Sequence, residues 1–240
     1  MTTGQSPLLL SQQLLTLSGT RFYLHHPDRI PADSAVIVVS NHRSFMDAPL
    51  LMAALRRPVR FACHHYMGQV PIMRDLVLRL GCFPLDAPDQ RQRSFFHQAV
   101  QLLQSQQVVG IFPEGTEPMV QVTPARQIGT FQRGFAHLAL RAPVANLAVL
   151  PVAIASQQET TTFPVPLKFL SWFDPSEPLF NQSGWHPMVT YQRADVLVGR
   201  PVWITTAQRQ SYQGKQAKTV VADLIAHCQD QILELLQYGC

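Results

Sequence analysis

A histidine and an aspartate stand five positions apart immediately after an apolar run, in the stretch V-I-V-V-S-N-H-R-S-F-M-D at residues 36–47. An aspartate that accepts the proton of one imidazole nitrogen fixes the tautomer and leaves the other nitrogen as a base. In a continuous helix, residues five apart point about 140° away from each other. His42 and Asp47 therefore meet only if His42 precedes a helix and Asp47 lies in its first turn. The pair then predicts a general base that removes the proton from a hydroxyl attacking an acyl carbonyl.

The same residues also have other interpretations. Asn41 and Asp47 are residue types that cap helices, which would leave His42 as an ordinary loop residue. Ser44 lies two residues from His42 and suggests a Ser-His-Asp hydrolase. Against the hydrolase, the sequence lacks a G-x-S-x-G turn, and neighbouring positions on a tight turn make a poor nucleophile–base pair.

A second polar stretch, F-P-E-G-T at residues 112–116, follows the apolar run V-V-G-I. Gly115 and Thr116 can turn backbone N–H groups and a hydroxyl towards an anion. Glu114 at the end of a strand must either pair or contact substrate, because an unpaired buried charge is costly. The alternative interpretation is an ordinary polar turn.

Short apolar runs alternate with longer helical patterns along the chain. We predict strands at 35–40, 59–63, 82–85, 108–112, 147–155 and 196–204. We predict helices at 7–17, 45–55, 70–80, 94–104, 131–141 and 216–238. This alternation predicts an α/β fold in which a twisted, mainly parallel sheet is flanked by helices on both faces.

We expect a single domain over residues 1–240, with an N-terminal amphipathic segment at 1–30 and an insertion at 157–193. The insertion is rich in proline and aromatic residues and predicts a long irregular loop, although its aromatic content argues against disorder. It either packs on the domain or, together with the N-terminal helix, dips into a bilayer. Trp172 and Trp185 would suit the interface.

Composition restricts the partners. Charged residues make up 14% of the chain, below the usual figure of about 25%, and the formal net charge is +4. A charge-poor, mildly basic surface fits an anionic substrate or a membrane surface. Scattered arginines without a basic block argue against nucleic-acid binding. We see neither a signal peptide nor a spanning segment, and we expect a cytoplasmic location.

The sequence also predicts that no metal is bound. The four cysteines form no C-x-x-C pair or metal-ligand spacing and are expected to be reduced thiols: Cys63, Cys82, Cys228 and Cys240. The histidine pairs at 25–26 and 64–65 lack the i, i+4 helical spacing and a clear third ligand.

Four blocks of the chain, in this order, resemble the glycerolipid acyltransferases, the family of 1-acyl-glycerol-3-phosphate acyltransferases. They are N-H-R-S-F-M-D at 41–47, G-C-F-P-L-D at 81–86, F-P-E-G-T at 112–116 and L-P-V-A-I at 150–154. The stretch F-Q-R-G-F-A-H-L-A-L at 131–140 resembles the basic helix start that follows the third block. The first and third blocks are the specific ones, and the resemblance extends over residues 35–205.

The resemblance implies acyl transfer without a covalent enzyme intermediate, with His42 as general base and Asp47 as the group that orients it. The acyl donor would be a thioester of coenzyme A or of acyl carrier protein, and no metal or other cofactor would be needed. The acceptor would be a lysophospholipid such as lysophosphatidate, reached from the cytoplasmic side of a membrane as a peripheral protein. The residues that would contribute to substrate binding are Asn41, Ser44, Glu114, Gly115 and Thr116.

Two positions depart from the family pattern. The arginine that usually follows the aspartate of the second block is Ala87 here, and the arginine that usually follows the threonine of the third block is Glu117. A carboxylate close to a phosphate costs about 1 kcal/mol or more. Arg126 or Arg133 would then supply the missing positive charge. The alternatives are the same chemistry on a different or non-phosphorylated lipid alcohol, an acyl-thioester or ester hydrolase, and a lipid-binding protein without catalysis.

Overall fold

An eight-stranded sheet lies at the centre of the computed structural model, which describes residues 6–69, 71–86, 90–115, 117, 120–173, 175 and 177–239. The strands are β1 (Arg21–His25), β2 (Ala35–Ser40), β3 (Val59–Cys63), β4 (Phe83–Pro84), β5 (Val108–Ile111), β6 (Leu147–Pro166), β7 (Trp185–Val198) and β8 (Val202–Trp203). Their order is β1-β7-β6-β2-β5-β3-β4, and β8 also pairs with β6. β6 is antiparallel to β7 and β8, whereas the other neighbouring pairs are parallel, which confirms the predicted mainly parallel sheet.

Helices cover both faces of the sheet, as predicted. They are α1 (Pro7–Leu17), α2 (Asp47–Leu55), α3 (Pro71–Arg79), α4 (Arg91–Gln104), α5 (Gly134–Arg141), α6 (Leu167–Leu170), α7 (Thr206–Gln213) and α8 (Ala217–Tyr238). Among the described residues, none of the helices is both long and apolar enough to cross a membrane.

The central strand β2 is buried along its whole length because helices pack on both of its faces. Ile37 and Val39 join an apolar cluster with α4, α5 and α8, whereas Val36 and Val38 join a second cluster with α1, α2 and α3. A strand buried on both faces has to be apolar at every position, which explains the uninterrupted run A-V-I-V-V. The polar residues that follow β2 emerge at the edge of the sheet.

The N-terminal segment combines a helix with an edge strand. α1 packs on α2 through the buried Leu15, and the Ser11 hydroxyl contacts Met52 Sδ at 3.4 Å. Leu9 and Leu17 lie on the exposed side of the helix. β1, which the sequence patterns did not predict, extends the sheet beside β7.

The prediction of an irregular insertion at 157–193 is wrong, because most of this stretch is a long β-hairpin. β6 continues to Pro166, β7 starts at Trp185, and the short helix α6 lies between them. The threonines at 160–162 favour a strand, and the hairpin alternates in burial as a strand with one solvated face does. Pro164 lies where the register of the β6–β7 pairing shifts, at a β-bulge. Proline has no backbone N–H to donate, and the bulged position requires none.

The single strand predicted at 196–204 is also wrong in part, since β7 ends at Val198 and β8 begins at Val202. Gly199 lies at the break. A Cβ at this position would come within 3.0 Å of the Pro151 carbonyl oxygen and 2.8 Å of Gln231 Oε1. The close backbone approach therefore favours glycine at this position.

Candidate active site

His42 and Asp47 lie together at the edge of the sheet where β2 ends. β2 stops at Ser40, α2 begins at Asp47, and His42 lies in the connecting loop. His42 Nδ1 is 2.8 Å from Asp47 Oδ2. A carboxylate only accepts hydrogen bonds, so Nδ1 carries the proton and Nε2 of the neutral ring is left as the basic nitrogen.

The imidazole ring of His42 stacks on a pair of phenylalanine rings. It stacks on Phe112, with ring centroids 4.2 Å apart and the planes inclined by 15°, and Phe112 in turn stacks on Phe61. The His42 side chain is 23% exposed. Among the described residues, Nε2 has no hydrogen-bond partner, so it is open to a substrate hydroxyl.

Asp47 is completely buried, and its carboxylate accepts hydrogen bonds on both oxygens. Besides the imidazole, Oδ2 accepts the backbone N–H groups of Arg43 at 2.7 Å and Ser44 at 2.8 Å. Oδ1 accepts the hydroxyl of Tyr191 at 2.8 Å. These donors compensate for the loss of water around a buried charge, so the aspartate is held in one orientation.

Glu114 connects the turn after β5 to the histidine loop. It is 3% exposed, and its carboxylate accepts the backbone N–H of His42 at 2.8 Å on one oxygen and that of Gly129 at 2.6 Å on the other. Burial raises the pKa of this carboxyl above its ordinary value, and the two N–H donors partly offset the rise. The structure thus brings the first and third sequence blocks into direct contact.

Asn41 and Ser44, predicted to bind substrate, both bond to the backbone of neighbouring strands. The Asn41 amide donates to the Ile154 carbonyl at 3.0 Å and accepts the Ile154 N–H at 2.8 Å. The Ser44 hydroxyl donates to the Val189 carbonyl at 2.5 Å. These contacts anchor the loop to β6 and β7, and a role of either residue in substrate binding stays a prediction.

The predicted anion-binding turn is only partly described. Gly115 is exposed and has a φ of 72°, a left-handed conformation that favours glycine. Thr116 and Ala87 lie outside the described residues. Glu117 is exposed, and its Oε2 would lie 3.5 Å from a Cβ placed on Gly129, beside the segment that contacts Glu114.

The two arginines predicted to hold a phosphate are exposed and do not contact the His42–Asp47 pair. Arg126 lines a cavity of about 420 Å³ whose wall includes His25 and Asp195, which are 3.1 Å apart. Arg133 precedes α5. Their role in acceptor binding stays a prediction.

Three residues that the sequence patterns did not single out complete the site. Arg43 is buried and forms two short hydrogen bonds to the carboxylate of Glu159, at 2.6 and 2.7 Å, and a third to the Thr123 carbonyl at 2.7 Å. Tyr191 contacts Asp47 across 144 positions of sequence. Glu159 and Tyr191 are directly opposite each other in the β6–β7 hairpin. No local pattern could have located these two residues, whereas Arg43 lies inside the first block.

Metal and thiol chemistry find no support in the described part of the chain. It contains no group of three or more His, Cys, Asp or Glu side chains arranged to hold a metal ion. Burial raises the pKa of the Cys82 and Cys228 thiols to about 12, so both stay protonated at neutral pH.

Comparisons with known proteins identify the family of the chain. The family model described as "Acyltransferase" matches residues 21–155. A probable 1-acyl-sn-glycerol-3-phosphate acyltransferase of Mycoplasma pneumoniae is 26% identical over 57% of this chain and 52% of its own length. The 1-acyl-sn-glycerol-3-phosphate acyltransferase of Borreliella burgdorferi is 23% identical over 58% of this chain and 53% of its own. The chain thus spans about half the length of these curated relatives.

A solved structure has the same fold. The crystal structure of the 1-acyl-sn-glycerophosphate acyltransferase PlsC from Thermotoga maritima superposes with a TM-score of 0.57. The match covers 96% of this chain and 78% of that one, at 17% sequence identity. At this identity the likeness concerns the fold alone.

Proposed function

Because the chain belongs to the acyltransferase family, we propose that it transfers a fatty acyl group from an acyl thioester to the hydroxyl of a lysophospholipid. The observation that carries the proposal is the 2.8 Å hydrogen bond between His42 Nδ1 and the buried Asp47, with the opposite edge of the ring open. The names of the relatives favour 1-acyl-glycerol-3-phosphate as the acceptor, which would give phosphatidate.

In the proposed reaction, Nε2 of His42 takes the proton of the acceptor hydroxyl as its oxygen attacks the thioester carbonyl. The new O–C bond forms, the C–S bond breaks, and the imidazolium returns the proton to the departing thiolate. Asp47 stabilises the imidazolium that exists between the two proton transfers. No side chain is acylated, and the sulfur leaves as a free thiol.

Glu114 has a positioning role in this proposal. Both of its oxygens accept backbone N–H groups, one of which belongs to His42 itself. It would therefore fix the backbone of the base, and any contact with the acceptor would have to use the remaining lone pairs of a buried carboxylate. Gly115, on the same turn, and Thr116, which follows it in the sequence, are better candidates for direct contact with the acceptor.

Glu117 favours a second candidate acceptor, a lipid alcohol without a phosphate. Its carboxylate lies beside the turn where the family resemblance implies a phosphate-binding arginine. A phosphorylated acceptor would then depend on Arg126 or Arg133. A neutral acceptor such as a monoacylglycerol would experience no repulsion from Glu117.

Thiol release from an acyl thioester tests the reaction class. We expect release that depends on added acceptor, with acyl-coenzyme A and acyl carrier protein tested separately as donors. Equal release without acceptor would indicate a hydrolase, and no release with any acceptor would indicate a binding protein. Comparing lysophosphatidate with monoacylglycerol then separates the two acceptor classes.

The charge substitutions sharpen that comparison. If lysophosphatidate is the acceptor, Arg126→Ala or Arg133→Ala should raise its KM, and Glu117→Arg should lower it. The KM of a neutral acceptor should change with none of them. An unchanged lysophosphatidate KM in both arginine variants would remove these residues from the acceptor site.

The tip of the β6–β7 hairpin supports a peripheral membrane location within the same proposal. Trp172 is 82% exposed, and Phe163, Phe169 and Trp185 are about half exposed. Amphipathic aromatic side chains suit the membrane interface. Cosedimentation with liposomes should weaken in Trp172→Glu. Trp203→Glu is the matched control, because Trp203 is exposed near the opposite end of β6. Undiminished binding of Trp172→Glu would rule out this tip as the membrane contact.

A further inference from the structure

We infer that Tyr191 is a positioning residue for acyl transfer. Its hydroxyl fixes the orientation of the Asp47 carboxylate, and the carboxylate in turn orients the His42 ring so that Nε2 faces the acceptor hydroxyl. The inference rests on the proposed function. It starts from the hydrogen bond of 2.8 Å between the Tyr191 hydroxyl and Asp47 Oδ1, inside a fully buried environment.

The two carboxylate oxygens of Asp47 accept hydrogen bonds from different parts of the fold. Oδ2 accepts three N–H groups, from the His42 ring and from the backbone of Arg43 and Ser44. All three donors belong to the same loop as the histidine, so they cannot by themselves fix that loop relative to the rest of the sheet. Oδ1 accepts its bond from Tyr191 on β7, a strand that pairs with β1 and β6 in the sheet. The hydrogen bond from Tyr191 thus fixes the orientation of the Asp47 carboxylate relative to the sheet.

Tyr191 is itself held firmly. It is 1% exposed and belongs to the apolar cluster under α1 and α2. Its carbonyl oxygen accepts the hydroxyl of Thr20 at 2.7 Å, in the turn between α1 and β1. β7 lies between β1 and β6 in the sheet. A side chain anchored in this way can transmit a fixed position to the group that it contacts.

The chemistry of the phenol suits a donor. Burial and the neighbouring Asp47 raise the pKa of Tyr191 well above its ordinary value, so the hydroxyl keeps its proton at neutral pH. A neutral donor next to Asp47 also withdraws some negative charge from the carboxylate. It therefore moderates the attraction between Asp47 and the imidazolium.

Two more contacts join the same hairpin to the same loop. The Ser44 hydroxyl donates to the Val189 carbonyl, two residues before Tyr191. Arg43 bonds to Glu159, which is the cross-strand partner of Tyr191. These contacts fix the backbone of the loop, whereas Tyr191 is the one described residue of the hairpin that bonds to the carboxylate of Asp47.

Tyr191→Phe tests the inference, since it removes only the hydroxyl. With the acceptor and donor identified by thiol release, we expect kcat to fall about tenfold to a hundredfold, the scale of a small misplacement of a catalytic group, with KM unchanged. The acidic limb of the kcat/KM profile should move to higher pH, because Asp47 then attracts the imidazolium more strongly. Tyr212→Phe is the matched control: its hydroxyl bonds to His137, away from the site, and its kinetics should equal those of the wild type.

If Tyr191→Phe does not fold, a second variant that keeps the hydroxyl and changes only its strength as a hydrogen-bond donor tests the same inference. Site-specific 3-fluorotyrosine at position 191 keeps the shape and makes the hydroxyl a stronger donor, so the acidic limb should move to lower pH. Wild-type kcat and an unmoved limb in either folded variant would overturn the inference and leave the proposed function intact. A wild-type protein that transfers no acyl group would overturn both.

Discussion

Replacing Glu159 by glutamine should destabilise the protein far more than a surface charge change. Its two carboxylate oxygens accept hydrogen bonds from Arg43 Nη1 and Nη2 at 2.6 and 2.7 Å, and the Arg43 side chain is only 2% exposed. Glutamine can accept at most one of these bonds, so a buried guanidinium loses its counter-charge. Breaking a buried pair by removing one partner costs about 3–5 kcal/mol. Because Glu159 is 22% exposed, we expect the lower end, about 3 kcal/mol.

The pH dependence of this loss follows from the same pair. Burial alone would raise the pKa of Glu159, but the hydrogen bonds from Arg43 and Ser156 and the charge of Arg43 together outweigh it and hold that pKa below its ordinary value. A carboxyl with a depressed folded-state pKa contributes stability that is complete above the unfolded value of about 4.3 and lost as the pH falls through the folded value. The stability difference between wild type and Glu159→Gln should therefore be full at pH 7 and shrink as the pH is lowered towards 3.

Urea unfolding measures this difference directly. With a slope of about 3 kcal/mol per molar, a loss of about 3 kcal/mol moves the midpoint down by about 1 M at pH 7. Glu234→Gln, on the exposed side of α8, is the control and should stay within about 0.5 kcal/mol of wild type. Equal midpoints at pH 7, or a difference that does not change with pH, would refute the reasoning.

Three further outcomes are expected. Asn41→Asp should destabilise by about 1–3 kcal/mol in thermal unfolding, because aspartate cannot donate to the Ile154 carbonyl; unchanged stability would contradict this. Glu114→Gln should lower acyl transfer and stability together, since glutamine keeps one acceptor oxygen and its NH2 group cannot accept the second backbone N–H. Full activity would contradict the positioning role. Above pH 10, the free energy of unfolding should fall by about 1.4 kcal/mol per pH unit more in wild type than in Tyr191→Phe. The raised pKa keeps Tyr191 protonated in the folded protein at a pH where the unfolded chain ionises it. Parallel curves of stability against pH would contradict this.

Local patterns predicted the parts of the fold that local chemistry determines. β2 and the start of α2 follow from an apolar run and a polar break, and they account for the meeting of His42 and Asp47 within five residues. The contact between Glu114 and His42 spans 72 positions, yet it joins two segments that each carry a recognisable block. For that reason the contact between His42 and Asp47 and the neighbouring turn could be predicted from the sequence.

The β6–β7 hairpin could not be predicted in the same way. Its prolines resemble a loop, and the register shifts in the ladder make Pro164 compatible with a strand. Glu159 and Tyr191 gain their roles from pairing across the hairpin, at separations of 116 and 144 positions from Arg43 and Asp47. Contacts of that kind depend on tertiary packing, which periodicity and composition do not encode.

Single-turnover thiol release by His42→Ala tests the central claim most directly. The account predicts that acceptor-dependent release falls by about 10²–10⁴-fold, the usual contribution of a general base, while thermal unfolding stays close to that of wild type. His97→Ala, which changes an exposed histidine on α4, should react like the wild type. Release by His42→Ala at the wild-type rate would contradict the assignment of the base and the mechanism built on it.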